Sequence, residues 1–118
     1  MRKGFTLIEI VISLAILAVG LVGILSLFPI GFDAARRSVN STQVAIYGHN
    51  HLEELRNAGF PVLGISTGSF SDPAYTWSQS VSTTGASADT LRQVDLTISW
   101  QYRNKDYHQV FTTYVATR

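Results

Sequence analysis

Gly4-Phe5-Thr6-Leu7-Ile8-Glu9 opens the stretch that decides the fold. A basic tip, Arg2-Lys3 closed by Gly4, precedes an apolar run that a single carboxylate interrupts almost at once. From Ile10 to Ile30 every residue is aliphatic, aromatic, Gly, Pro or Ser, the length of a bilayer-spanning helix of about 20 residues. Glu9 lies one turn inside the end of that segment. An ionised carboxylate costs about 2.5–3.5 kcal/mol at the bilayer centre and less toward the interface, so an acid kept there points to a function.

Working outward, length and composition bound what else the chain can be. Its 118 residues, net charge +1 and 14% charged residues fit one small soluble domain behind the apolar segment and give no basic field for nucleic acid. With no cysteine, neither disulfides nor thiolate metal sites hold that domain, and compartment has to be read from topology. Arg2 and Lys3 precede the span while Arg36 and Arg37 follow it. The short Arg2-Lys3 end is then expected in the cytoplasm, with the remainder exported. A cleaved secretory signal peptide fits poorly, because the apolar run exceeds the usual core of about 7–15 residues, contains Glu9 and is not followed by a small-x-small site.

The run Met1-Arg-Lys-Gly-Phe-Thr-Leu-Ile-Glu9 resembles the class III signal sequence of type IV pilins and type II secretion pseudopilins, in which a basic leader ending in Gly precedes Phe and an apolar stretch with one Glu. The resemblance implies a leader at residues 1–4, cut by a prepilin peptidase between Gly4 and Phe5, and N-methylation of the new Phe5 amine. It also implies that Glu9 pairs with the amine of a neighbouring subunit during assembly. Physical chemistry supports part of this: a free α-amino group, with a reference pKa of about 7.7–8.0, is mostly cationic at neutral pH and can meet a carboxylate. Phe5 and Glu9 stand at i and i+4, so a pair within one chain is also open. The competing role for Glu9 is an anchor carboxylate that is protonated or snorkels to the headgroups. Further likeness implies a minor subunit. Leu17 to Gly23, Leu52-Glu53-Glu54-Leu55-Arg56, Ser99-Trp100-Gln101 and Thr113-Tyr114-Val115 resemble minor pilins called PilV and minor pseudopilins of the GspI type.

Residues 5–32 read as the transmembrane and filament-core helix, apolar on all sides. Ala15, Ala18, Gly20 and Gly23 suit close helix approach, or are ordinary membrane-helix composition. Pro29 and Gly31 predict a kink or unwound turn within residues 25–32. Residues 33–58 read as an amphipathic continuation. Ser41, Val44, Ala45, Gly48, Leu52 and Leu55 fall on the side expected to face the domain, with Gly48 allowing close approach, while Val39, Ile46, Asn50, Glu53 and Asn57 fall near the other. Unbroken from Phe5 to Asn57, such a helix would span about 80 Å. Gly59 and Pro61 end it.

Residues 59–118 read as a small β domain. A loop is expected over 59–74 with a turn at Ser71-Asp72-Pro73, a strand around Tyr75, Trp77, Gln79 and Val81, and a second loop over Thr83–Thr90. Val94, Leu96, Ile98, Trp100 and Tyr102 alternate with polar residues, the clearest strand pattern. A two-residue turn at Asn104-Lys105 sets Arg103 opposite Asp106, Tyr102 opposite Tyr107, Trp100 opposite Gln109 and Ile98 opposite Phe111, with Phe111 and Val115 on the apolar face. The expected fold class is α+β: a long N-terminal helix packed through Val44, Gly48, Leu52 and Leu55 on a three-stranded antiparallel sheet, as in pilins.

No catalytic constellation emerges. His49-Asn50-His51 resembles a nuclease motif in wording only, and the two histidines point to different helix sides, so they read as solvated polar residues. Trp77, Trp100, Tyr102 and Tyr107 with Arg103 and Lys105 offer an aromatic and basic patch for single-stranded DNA, but their alternation reads as sheet packing, so nucleic acid is not expected. Asp72 and Asp89 lack neighbouring oxygen ligands for calcium. No metal or cofactor and no enzymatic activity is expected. The resemblance implies a structural subunit of a type IV pilus or type II secretion pseudopilus, in the bacterial inner membrane and then in a periplasmic or extracellular filament. Its partners would be other pilins or pseudopilins through the N-terminal helix, the prepilin peptidase and the inner-membrane assembly platform. The alternative is a membrane-anchored periplasmic binding module, for an exported substrate or DNA, that does not polymerise.

Overall fold

The computed structural model describes residues 3–85 and 90–117, so Arg2 and Asp89, and the middle of the Thr83–Thr90 loop, lie outside the described residues. Helix α1 runs Leu7–Leu25 and helix α2 Leu27–Asn57; then follow strands β1 Gly64–Ser69, β2 Tyr75–Thr83, β3 Leu91–Tyr102 and β4 Lys105–Ala116. The architecture is α+β: a long apolar N-terminal helical stretch and a four-stranded antiparallel sheet in the order β1-β2-β3-β4. Two compact units divide the chain, Met1–Val39 and Asn40–Arg118.

In the first unit α1 buries nothing. Its helical backbone satisfies its own polar groups, which lets an apolar surface stand outside water without further structure. The one interruption between α1 and α2 is Ser26, whose N–H and hydroxyl both donate to the Val22 carbonyl, at 3.0 and 2.8 Å. The break falls three residues before Pro29, whose ring crowds the carbonyl of Leu25, four residues earlier, and offers it no N–H. Gly31 lies inside α2.

In the second unit, Asn40–Asn57 of α2 packs on one face of the sheet. Val44, Tyr75, Leu96 and Ile98 form one buried cluster, flanked by Tyr47, Leu52, Phe70, Trp77, Trp100 and Phe111. Val81, Val94 and Val115 form a second, closed by Leu52, Leu55 and Phe60. Val94, Leu96 and Ile98 are fully buried, as the period-2 pattern of β3 requires, while the intervening Asp95, Thr97 and Ser99 face away. Past the helix, Arg92 lies over the Phe60 ring at 4.1 Å and donates to the Pro61 carbonyl, fastening the chain where α2 ends.

Four expectations are corrected. The loop expected over 59–74 contains β1, which pairs along its length with β2, Gly64 opposite Val81 through Ser69 opposite Thr76. The sheet therefore has four strands and not three. Its turn does fall at Ser71-Asp72-Pro73: the Asp72 carboxylate accepts from Ala74 N–H at 3.0 Å and its carbonyl accepts from Tyr75 N–H.

The β3–β4 turn is centred on Arg103-Asn104, not Asn104-Lys105. Both residues have positive φ, 52° and 57°, as a two-residue hairpin turn with the native strand twist requires. The register accordingly moves by two residues, to Trp100 opposite Tyr107 and Leu96 opposite Phe111. A two-residue slip preserves facing, so Phe111 and Val115 remain on the helix side. The observed register stacks Trp100 on Tyr107 at 5.9 Å and sets Thr112 to donate to Asp95 at 2.6 Å.

On α2, Ser41 and Ala45 are exposed, and the packed stripe is completed instead by Asn40, Gln43, Tyr47 and His51. Aromatic bulk decides this, since Tyr47 stacks on Phe70 with ring centroids 4.5 Å apart. The fourth correction is His51 itself: it is half-buried against Trp77 at 4.4 Å, with Nε2 3.0 Å from the Gln79 side-chain oxygen, and is not a solvated residue. His49 is exposed.

Candidate functional site

The N-terminal segment is built around a capping box. Thr6 is the N-cap of α1 in extended conformation; its hydroxyl accepts from Glu9 N–H at 3.3 Å, and the Glu9 carboxylate accepts from Thr6 N–H at 3.4 Å. Two orphan donors of the helix start are satisfied reciprocally, and the carboxylate sits at the positive end of the helix dipole. The Thr-x-x-Glu spacing before an apolar run is the sequence signature of this box. Ser13 donates to the Glu9 carbonyl at 2.8 Å, so the side chains of Thr6, Glu9 and Ser13 all have partners within the helix.

Around the box the surface is apolar and open. Phe5 is 81% exposed. A shallow groove of about 300 Å³, lined by Phe5, Glu9, Ile10, Ser13, Leu14 and Leu17, runs down one side of α1 from the carboxylate. Lys3 and Gly4 precede the helix and are both exposed.

The other residues singled out from sequence lie elsewhere. Val44 and Gly48 are buried on the sheet, and Leu52 and Leu55 cover the valine cluster. A Cβ on Gly48 would lie 2.8 Å from the Phe111 ring, so the helix is held to the sheet at a distance only glycine permits. Gly68 in β1 does the same for Trp77, at 2.7 Å. Tyr75 is the buried polar anchor of this seam: its hydroxyl donates to the Asn40 side-chain oxygen at 3.1 Å. Its pKa is raised, first by burial and then by the Asp72 carboxylate and Tyr47.

On the opposite, solvent-facing side of the sheet an open cavity of about 700 Å³ lies beside the 73–74 turn, lined by Thr97, Ser99, Trp100, Asp106, Tyr107 and His108 among others. No group of three or more metal-ligating side chains occurs among the described residues. The aromatics considered for nucleic acid are engaged in packing: Trp77 holds His51, and Trp100 lies between Tyr75 and Tyr107.

The helical stretch from Leu7 has an apolar portion long enough to cross a membrane, none of which is buried within the chain. Residues 1–25 match the family model for the prokaryotic N-terminal methylation motif. No curated protein and no solved structure matches the chain. The matched segment contains Gly4, Phe5, the Thr6–Glu9 box and all of α1, and it supports the type IV pilin and pseudopilin superfamily for this chain.

Proposed function

We propose that this chain is a minor pilin or pseudopilin, a non-enzymatic subunit stored in the bacterial inner membrane and drawn into a helical filament through its N-terminal helix. The observation that carries this reading is the capped carboxylate at the head of a fully exposed apolar helix, inside a matched methylation motif. An apolar helix surface with no intramolecular partner is stable in lipid or among copies of itself, and filament extraction exchanges the first for the second.

Cleavage after Gly4 would create a cationic amine on Phe5, one residue from the capping box. Glu9 then has three partners in competition: its own Thr6 N–H, the amine of its own Phe5 at i−4, and a neighbour's amine. The bond to Thr6 is long, at 3.4 Å, and a charge-assisted pair is the stronger interaction. The capping box therefore holds the carboxylate in place until a neighbour's amine replaces Thr6. The groove below Glu9 would receive the apolar side chains that accompany that amine. Prepilin peptidase, sister subunits and the inner-membrane assembly platform are the partners this reading requires, with the C-terminal domain in the periplasm.

The test is Glu9→Ala. The variant is expected to insert in membranes at wild-type levels but to disappear from sheared filaments, while Glu9→Asp recovers part of the incorporation. Unchanged incorporation of Glu9→Ala would overturn the assembly role and leave an anchored binding module. For such a module, the open cavity beside Thr97, Ser99 and His108 would be the place to look for a ligand.

A further inference from the structure

We propose that Arg36 and Arg37 fix the outer end of the membrane-spanning segment on lipid phosphates, and that this leaves Glu9 in the inner headgroup layer, outside the hydrocarbon core. The inference rests on the membrane anchoring proposed above and adds where the helix sits in the bilayer.

Side chains from Leu7 to Phe32 are exposed without exception, and the apolar character ends at Asp33. At a rise of about 1.5 Å per residue this run is about 39 Å long. The hydrocarbon layer is about 30 Å thick. The excess is taken up by a tilt of about 40°, the upper end of what membrane helices adopt, by a kink at the Ser26 break, or by the emergence of one end from the core.

The outer end is the anchored one. Phe28 and Phe32 stand on successive turns of one helix face with ring centroids 6.5 Å apart. Arg36 is the next residue on that face, Arg37 adjoins it, and both are exposed. A guanidinium grips phosphate oxygens through paired donors, and two of them one turn beyond the last apolar ring match the headgroup level of a bilayer. Charge complementarity and continuity with the apolar run thus select lipid as the occupant of this collar.

Counting about 20 residues inward from Phe32 puts the inner limit of the core near Ser13. The polar pattern coincides with that limit. Thr6, Glu9 and Ser13 are linked by side-chain bonds to the backbone at the head of α1, and the next polar side chain, Ser26, turns its hydroxyl back onto the Val22 carbonyl. The capping box therefore lies among headgroups and water, with Lys3 beyond it. A carboxylate placed there is within reach of an arriving amine before the subunit leaves the membrane.

Because the chain has no cysteine, single introduced cysteines report the placement directly. The uncut chain is examined in inverted inner-membrane vesicles with a membrane-impermeant maleimide. Leu7→Cys and Ile8→Cys are expected to react at least about tenfold faster than Leu17→Cys and Leu21→Cys. Each interfacial arginine favours its bound position roughly fivefold, so adding Arg36→Gln and Arg37→Gln together should reduce labelling at positions 7 and 8 by up to about 25-fold as the run recentres. Equal protection of residues 7, 8, 17 and 21 in a carbonate-resistant protein would show a tilted span and overturn this placement alone. Labelling that the double arginine change leaves unaltered would overturn the collar. Release of the wild-type chain by carbonate would overturn the anchor reading, and the placement with it.

Discussion

Met1–Val39 and Asn40–Arg118 use the same apolar chemistry to opposite ends. Leu14, Leu17 and Ile24 in the first unit are more than half exposed, whereas Leu96 and Ile98 in the second have no exposure at all. Burial of a Leu or Ile side chain stabilises a fold by about 1.5–3 kcal/mol, and only the second unit collects that energy within one chain. The first leaves it to lipid or to other subunits. The difference teaches that the sheet domain is the self-sufficient part, while the N-terminal helix is complete only in company.

The largest expected effect separates the units by core truncation. Leu96→Ala or Ile98→Ala should lower the unfolding free energy of the sheet domain by about 2–5 kcal/mol, followed by urea unfolding of the detergent-solubilised chain through Trp77 and Trp100 fluorescence. Leu17→Ala should leave that transition unmoved; a comparable loss would mean that α1 takes part in the domain's core.

Glycines sharpen the same contrast. Gly48→Ala drives a Cβ against the Phe111 ring and should cost about 1–3 kcal/mol. Gly23→Ala meets open space and should make the helix more stable by up to about 1 kcal/mol. Equal effects at the two positions would contradict the close approach at Gly48.

Alkaline pH probes the seam through Tyr75. Its pKa is raised in the folded state by burial, then by Asp72 and Tyr47. Below the unfolded value of about 10 the phenol is neutral in both states. As pH rises past that value, the unfolded chain ionises first and stability falls until the folded pKa is passed. Tyr75→Phe should therefore flatten the alkaline limb of the stability profile while costing about 1 kcal/mol at neutral pH, from the lost bond to Asn40. An unchanged alkaline limb would assign that titration to another group.

The smallest effect concerns the hairpin. Arg103→Asn with Asn104→Gly supplies residues that tolerate positive φ at both turn positions and should raise stability by at most about 1 kcal/mol. A destabilised double variant would argue against the Arg103-Asn104 turn.

These contrasts also show which features the sequence made legible. The apolar span was readable from its unbroken length, and the helix through Asn57 and the β3 pattern because each repeats one periodicity over many residues. β1 was hidden because its helix-side positions are Gly64, Ser66 and Gly68, too small to print an alternation; the Trp77 ring occupies the space over Gly68. The hairpin register escaped by two residues because either placement of the turn keeps the same side chains facing the helix. His51 looked solvated since its neighbours Trp77, Phe70 and Gln79 come from β2 and the β1–β2 turn, distant in sequence. At the candidate site, Gly4, Phe5 and Glu9 stood out by motif, but the capping role of Glu9 emerged only with the geometry of Thr6.

The central claim is that Gly4-Phe5 is a processing junction whose new amine becomes a partner for Glu9. The direct measurement is the intact mass and N-terminal sequence of the protein extracted from membranes of cells with active prepilin peptidase. A chain beginning at N-methylated Phe5 is the predicted result. A chain that still begins at Met1, with Glu9 left to cap its own helix, would contradict it.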